Sequence, residues 1–330
     1  MKFEFELLSD LTMIFVSRDR QDIVLENAQF YESLGAQVVI LDGTNAPVDA
    51  NRLSVVSDKV IYLHSPTSLE SRLQKARGLS KTPFTIISSD DDFLVPSGLN
   101  RAMEFLRINP SVLSCSGRVV GFEGKSPNLN FFNCYKEFDR KSLQNMHKRK
   151  FPRLVNYLFN YSSRYFYAVY RTPDWEEIFT SFEGDNQLSR NFLELIVEFR
   201  ACFKGPSFTL VDLFWLRNLE NAPIRQGEKY RRFPAFVECK DIITHINGPR
   251  PRTEKAPFRP SKSEKITIFG MIISLDILNL IRSLLKKLGV YHWRTVGKNR
   301  EESFRPEKLG VLLQRKSAVG NLSEAINLLS

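Results

Sequence analysis

The chain is poor in cysteine, with four in 330 residues: Cys115, Cys134, Cys202 and Cys239. None is spaced C-x-x-C and none has a histidine pair nearby, so neither a disulfide framework nor a zinc site is indicated, and the four read as core thiols of a reducing compartment. Long apolar runs are missing too. The longest, 266–275, is too short to span a bilayer, and Asp276, Arg282, Lys286 and Lys287 interrupt its continuation. The glycine fingerprints G-x-G-x-x-G and G-x-x-x-x-G-K-[ST] are both absent, so a bound phosphate would not be cradled mainly by a glycine loop. Met1-Lys2-Phe3-Glu4-Phe5-Glu6 lacks the basic-then-apolar order of a secretion signal, and a cytoplasmic location is expected. There is no internal repeat.

What is present is an ordinary globular composition, 42% hydrophobic and 25% charged. The net charge of +10 is unevenly placed, with 9 Lys/Arg against 14 Asp/Glu in residues 1–100 and 38 against 23 in residues 101–330. Basic runs at His147-Lys148-Arg149-Lys150, Lys229-Tyr230-Arg231-Arg232 and Pro249-Arg250-Pro251-Arg252 suit an anionic partner or a solvated surface. Because no basic run explains the acidic first hundred residues, no nucleic-acid partner is expected. The apolar 266–285 segment with its basic end is compatible with peripheral contact at a membrane surface, and more simply with packing on the protein's own core.

From residue 11 short β-branched runs alternate with helix-period segments. A strand at 11–16 precedes a helix through Val24, Ala28 and Tyr31 closed by Gly35, and a strand follows at 36–41. A second helix places Leu69, Leu73 and Ala76 on one face ahead of a strand at 84–88. Strand, helix, strand with short turns predicts parallel pairing, hence a doubly wound, mostly parallel α/β sheet flanked by helices. After Ser97 a helix burying Ala102, Phe105 and Leu106 leads to a strand over 112–122. The stretch 123–153 reads as loop-rich, 165–170 as a strand, and 186–204 as a helix with Phe192, Leu195, Ile196, Phe199 and Phe203 along its stripe. Residues 249–265 read as a linker to C-terminal helices.

The densest chemistry is Asp90-Asp91-Asp92, set between the apolar runs Phe84-Thr85-Ile86-Ile87 and Phe93-Leu94-Val95-Pro96. Three adjacent carboxylates at the end of a buried strand repel one another and call for a cation or hydrogen-bond donors. A hard divalent metal carrying phosphate oxygens is one answer. An acidic turn in which Asp90 or Asp92 caps the helix near Ser97 is the other. In open parallel sheets ligands bind beyond the carboxyl ends of the strands, and those ends here carry residues 17–20, Asp42-Gly43-Thr44 and the acidic triplet.

On these residues the chain resembles the family 2 type of GT-A glycosyltransferases, which transfer sugars from nucleotide diphosphate sugars. Ser17-Arg18-Asp19-Arg20 is similar to that family's Thr-x-Asn-Arg turn. Ile40-Leu41-Asp42-Gly43-Thr44 resembles its Val-x-Asp-Gly-Ser strand end, and Ser89 to Pro96 resembles its Asp-x-Asp-Asp element with the proline four residues on. The match covers roughly residues 11–122. Ser89 replaces the family's first aspartate, so the resemblance carries metal binding, of manganese or magnesium, to Asp91 and Asp92 with Asp90 as substitute. It also implies that Ser17, Arg20 and Asp42 bind the donor. Arg72 and Arg77, on the helix before the acidic strand, are in reach of the diphosphate or lie on a solvated helix face.

The family's base lies in a Glu-Asp pair about eleven residues before a glycine, a position held here by Glu194 ahead of Gly205. Helical geometry puts Glu194 and Glu198 opposite Phe192, Leu195 and Phe199, facing a cleft or water. Asp185 is a second candidate base or a helix cap. Arg217, twelve residues after Gly205, stands where some relatives carry a metal-binding histidine. It would clamp the leaving diphosphate, with His245 as a possible replacement metal ligand.

The expectation is a metal-dependent glycosyltransferase of GT-A type, inverting by single displacement and acting on a glycan or lipid-linked acceptor in surface polysaccharide synthesis. Residues 1–122 form its nucleotide-sugar subdomain, 123–248 the acceptor and base subdomain, and 249–330 a linker and helical tail. A sugar nucleotidyltransferase and a non-enzymatic basic adaptor are the competing readings.

Overall fold

A computed structural model of the chain describes residues 7–53, 59–124, 130–133, 144–159, 165–182 and 190–220. In chain order the elements are β1 (Leu11–Ser17), α1 (Gln21–Ser33), β2 (Gln37–Asp42), α2 (Ala50–Leu53), β3 (Val60–His64), α3 (Leu69–Lys75), β4 (Phe84–Ser89) and β5 (Phe93–Leu94). There follow α4 (Pro96–Ile108), β6 (Ser114–Glu123), β7 (Asn130–Asn133), α5 (Lys150–Phe159), β8 (Val169–Arg171), α6 (Thr172–Phe179), α7 (Arg190–Lys204) and β9 (Ser207–Asn218). The doubly wound, mostly parallel α/β sheet read from the sequence is present. The helical C-terminal extension lies outside the described residues.

One sheet runs through both halves in the order β3-β2-β1-β4-β8-β6-β9-β5, with β7 paired to β6. The first four strands are mutually parallel. Their near-continuous apolar sequences are what a sheet covered on both faces requires, and Met13, Ile14, Phe15, Val38 to Leu41, Ile86 and Ile87 are all fully buried. The short β8 joins the halves by pairing antiparallel to both β4 and β6. β6 then runs parallel to β9, with an irregular register between Ser116 and Val119.

Helices form where the spacing predicts them. α1 buries Val24, Ala28 and Tyr31 and ends ahead of Gly35, whose φ of +87° lies in the left-handed region that favours glycine. α3 is opened by Ser68, whose side chain accepts from Ser71 N. α4 starts at Pro96 with Val95 as its cap residue and no side-chain cap bond, so neither Asp90 nor Asp92 serves as its cap. Its first turn lies so close to β9 that a Cβ on Gly98 would come 2.3 Å from Leu213 O.

Three readings differ from the structure. The run Tyr165 to Ala168 is a turn, and only Val169–Arg171 is strand. Within 123–153 there is a strand, β7, and the start of a helix, α5. The strands β3, β5 and β9 and the helices α2 and α6 are not among the expectations above, although Val60-Ile61-Tyr62-Leu63 and Leu213-Phe214-Trp215-Leu216 are apolar, β-favouring runs.

Candidate nucleotide and cation site

Register places the polar residues side by side. Ser17 of β1 pairs with Asp42 of β2, Asp42 with His64 of β3, and Val16 with Ser89 of β4. Three strands therefore end together, and Asp90 to Asp92 form the turn that carries the chain from β4 to β5. All three aspartates are buried.

Each carboxylate has a donor. Asp90 accepts from Ser17 Oγ at 2.9 Å and Arg20 Nη1 at 3.1 Å, and its carbonyl accepts from Asn27 Nδ2 at 2.7 Å. Asp91 accepts from Arg20 Nη1 at 2.7 Å and Ser89 Oγ at 2.8 Å. Asp92 accepts from the backbone N–H of Asn218, at the end of β9, at 2.9 Å. Asp90 and Asp91 thus share one guanidinium, whereas Asp92 points to the second half of the sheet. Burial, and next the charge of Asp91, push the Asp90 carboxyl above the ordinary range despite Arg20 and Ser17.

Asp42 is differently served. Its Oδ2 accepts from Tyr62 Oη at 2.6 Å and Gln21 Nε2 at 2.7 Å, and its Oδ1 from Thr44 N at 2.8 Å. Burial alone would raise its pKa, but the bonds from Thr44, Tyr62 and Gln21 outweigh it and hold the carboxyl below the usual value. The Thr44 bond is a local turn bond, yet the two side-chain donors come from α1 and β3 and make Asp42 a built, ionised acceptor at the strand end. Neither Tyr62 nor Gln21 carries a motif signal.

Arg72 is not on a solvated helix face. It is buried, and its Nη1 donates at 2.7 Å to both Ser17 O and Leu41 O, tying the ends of β1 and β2. Its guanidinium lies under Gly43, where a Cβ would approach Cζ to 2.6 Å. Burial depresses its pKa. Arg77 falls in the turn after α3, past the helix on which it was expected, and is exposed.

On the other side, Glu194 of α7 is buried, at 8% exposure, and so faces no open water. Tyr167 Oη donates to Glu194 Oε1 at 3.4 Å. The Tyr167 ring packs on Trp215 at 4.5 Å between centroids, and Trp215 in turn lies 5.5 Å from the Arg217 guanidinium carbon. Contacts therefore run from Glu194 through Tyr167 and Trp215 to Arg217, next to the Asn218 N–H that holds Asp92. Glu198, also expected on an open face, is fully buried and takes a bond from Phe166 N at 3.2 Å. Burial raises its pKa well above the ordinary value. Asp185 and His245 lie outside the described residues.

Among the described residues no three His, Cys, Asp or Glu side chains converge as a ready metal cluster. The donor set nonetheless fits a hard divalent cation. Asp90 and Asp91 present oxygen atoms to a single point, which the positively charged Arg20 Nη1 now takes.

No protein-family model matches the sequence, and no curated protein matches it. Solved structures do. The crystal structure of residues 1–349 of S. aureus TarS is 12% identical and aligns with TM-score 0.50 over 96% of this chain and 81% of that one. The crystal structure of S. aureus TarS is 11% identical and aligns with TM-score 0.50 over 80% of this chain, which spans 43% of its length. A TarS 1–349 structure in complex with UDP-GlcNAc aligns at TM-score 0.49 and 12% identity over 80% and 71% of the two chains. At such identities the likeness shows the GT-A-type fold and nothing finer.

Proposed function

We propose that the protein is a metal-dependent, family 2-like glycosyltransferase that moves a sugar from a nucleotide diphosphate sugar to a glycan or lipid-linked acceptor. The observation that carries the reading is the meeting of the Asp90 to Asp92 turn, the Ser17 and Arg20 side chains and the ionised Asp42 at one edge of a GT-A-type sheet. The triplet caps no helix, so the capping role that the adaptor reading gave it is absent.

Asp42, with its charge fixed by Tyr62 and Gln21, accepts a hydrogen bond from the nucleoside. Ser17 and Arg20 face the donor phosphates. Asp91 and Asp92 were the expected ligands, with Asp90 as substitute. Because Asp90 and Asp91 face one point while Asp92 is turned to Asn218, the pair Asp90 and Asp91 would hold manganese or magnesium, which would neutralise the diphosphate and stabilise charge on the leaving group. Glu194 takes the proton from the acceptor hydroxyl as its oxygen bonds to the anomeric carbon. The carbon–oxygen bond to the diphosphate breaks, and the nucleoside diphosphate departs with the electron pair, inverting the centre. Arg217 steadies the departing group through paired N–H donors. Asp185 is a reserve base and His245 a reserve metal ligand.

Arg72 supports the site by fixing the strand ends under Gly43, and Arg77 is left to long-range attraction. The basic second half suits an anionic acceptor, as in surface polysaccharide synthesis at the cytoplasmic membrane face. No helix among the described residues is long and apolar enough to cross a membrane.

The test is a hydrolysis and transfer screen over a panel of UDP-, GDP- and dTDP-sugars that includes UDP-GlcNAc, with and without Mn²⁺. Release of nucleoside diphosphate from one donor class, dependent on the cation, is expected. Pyrophosphate appearing from a nucleoside triphosphate and a sugar phosphate would replace the reading with a nucleotidyltransferase.

A further inference from the structure

Arg20 stands where a cation is expected. Its Nη1 lies 3.1 Å from Asp90 Oδ1 and 2.7 Å from Asp91 Oδ2. The carboxylates are fixed from behind: Ser17 Oγ and Ser89 Oγ each hold one, and Asn27 holds the Asp90 carbonyl. Their side chains are 6% and 9% exposed, whereas that of Arg20 keeps 31%. The arginine is the outer, partly exposed member of the cluster. It is presented by Asp19, a non-glycine residue held at φ +59° with its N–H bonded to Thr44 Oγ1, a conformation that L residues adopt only at an energetic cost.

A divalent cation needs the carboxylate oxygens that Nη1 now faces, and in a buried site the two positive charges would repel at contact distance. They exclude one another. Released from Asp90 and Asp91, the guanidinium would carry an unmatched charge beside the donor site, where a diphosphate offers it paired acceptor oxygens.

We propose that Arg20 is a tethered counter-cation that closes the Asp90 and Asp91 pair in the nucleotide-free protein and yields it to a divalent cation when a nucleoside diphosphate accepts its guanidinium. The inference rests on the reading of the acidic turn as a cation seat and adds regulation to it. Cation and nucleotide binding are then coupled reciprocally. The affinity for bare cation is reduced by the fraction of time Arg20 leaves the carboxylates free. Arg20 is a positioning residue in this scheme, acting before chemistry begins.

The experiment is Mn²⁺ titration followed by the electron paramagnetic resonance signal of the free ion, on wild type, Arg20→Gln and Arg20→Lys, alone and with saturating UDP or GDP. Wild type should bind Mn²⁺ weakly alone and about tenfold or more tighter with the matching nucleotide, while Arg20→Gln binds bare Mn²⁺ about tenfold tighter than wild type and loses most of the coupling. Arg20→Lys, a point charge that bridges two oxygens less well, should fall between them. Arg52→Gln, at an exposed pair with Asp22, should match wild type.

If wild type binds Mn²⁺ with nucleotide but Arg20→Gln binds bare Mn²⁺ no tighter, the tether is overturned and the cation seat stands. If neither protein binds Mn²⁺ under any condition, seat and tether fall together. Should Arg20→Gln not fold, as judged by circular dichroism, Arg20→Lys decides, and bare-ion affinity at or below that of wild type overturns the inference.

Discussion

The phenol of Tyr62, on the outermost strand β3, donates to Asp42 Oδ2 at 2.6 Å. This bond lets a strand with no motif of its own set the charge state of a site carboxylate. Burial, and then Asp42, push Tyr62 up to about 12, so the phenol remains the donor throughout the physiological range.

Tyr62→Phe removes one of the bonds that lower the Asp42 pKa and leaves Val48 N, which donates to Tyr62 Oη at 2.9 Å, without that acceptor. A loss of about 1 kcal/mol in stability is expected at neutral pH. A depressed carboxyl contributes stability that is present above its unfolded value, 3.8, and lost as pH falls through the folded one. The gap between wild type and Tyr62→Phe in urea midpoint should therefore be widest near neutrality and narrow below roughly pH 4. An unchanging gap across that window would show that only the Val48 contact matters.

Glu198 carries the opposite sign. Its folded pKa is raised by burial above the ordinary 4.5, so the folded chain holds a proton that the unfolded chain has released, and stability declines as pH climbs from the unfolded value toward the folded one. Glu198→Gln keeps an acceptor for Phe166 N and removes the titration. Denaturant midpoints at roughly pH 5, 6, 7 and 8 should fall in wild type relative to the variant, with the variant the more stable at the upper end. Parallel curves would mean that Glu198 is ionised in the folded protein.

Gly98→Ala drives a methyl group into Leu213 O at 2.3 Å and Phe214 Cα at 3.0 Å, both of them strand backbone. Overpacking of this kind costs about 1–3 kcal/mol. Since the displaced strand also carries the Asn218 N–H that Asp92 accepts, any Mn²⁺-dependent nucleotide binding should weaken together with the thermal midpoint.

The donor and acceptor roles should separate by mutation. Asp91→Asn is expected to weaken cation-dependent nucleotide binding by about ten- to a hundredfold. Glu194→Gln is expected to leave binding near wild type and to lower turnover by about 10² to 10⁴. Calorimetry for the first and single-turnover rates for the second give the two readouts. Equal loss of binding in both variants would place Glu194 on the donor.

What could be read in advance follows the range of the forces involved. β1, β2 and β4 announce themselves because strands covered on both faces need apolar runs, β6 shows through Val119-Val120 and Phe122, and the acidic turn is visible because its charges adjoin the β4 run. β3 sits at the sheet edge, half-buried, and its Val60-Ile61-Tyr62-Leu63 run has the β-branched and aromatic composition of a strand without any motif beside it; Tyr62 was missed with it. Tyr165 to Ala168 has the aromatic, β-favouring composition of a strand, yet tertiary packing bends it into the turn that delivers Tyr167 to Glu194 and Trp215. α7 shows its apolar stripe plainly, but a stripe describes one face only. The opposite face is covered by the 165–168 turn, whose Phe166 N and Tyr167 Oη bond Glu198 and Glu194, so both carboxyls end up enclosed. Arg72 lies on a short helix whose periodicity says nothing about a long side chain reaching beneath two strand ends.

The way β6 is flanked bears on whether the donor half can be handled as a module. Its partners β7, β8 and β9 are all supplied by chain beyond residue 129, and the last aspartate of the turn is held from a residue 126 positions away. A fragment ending near residue 122 would keep every motif yet carry a strand bare along both edges, inviting self-association in place of ligand recognition. Chain exchanges that cut there would dismantle the very corner meant to be preserved, and exchanges confined to surface loops are the workable alternative.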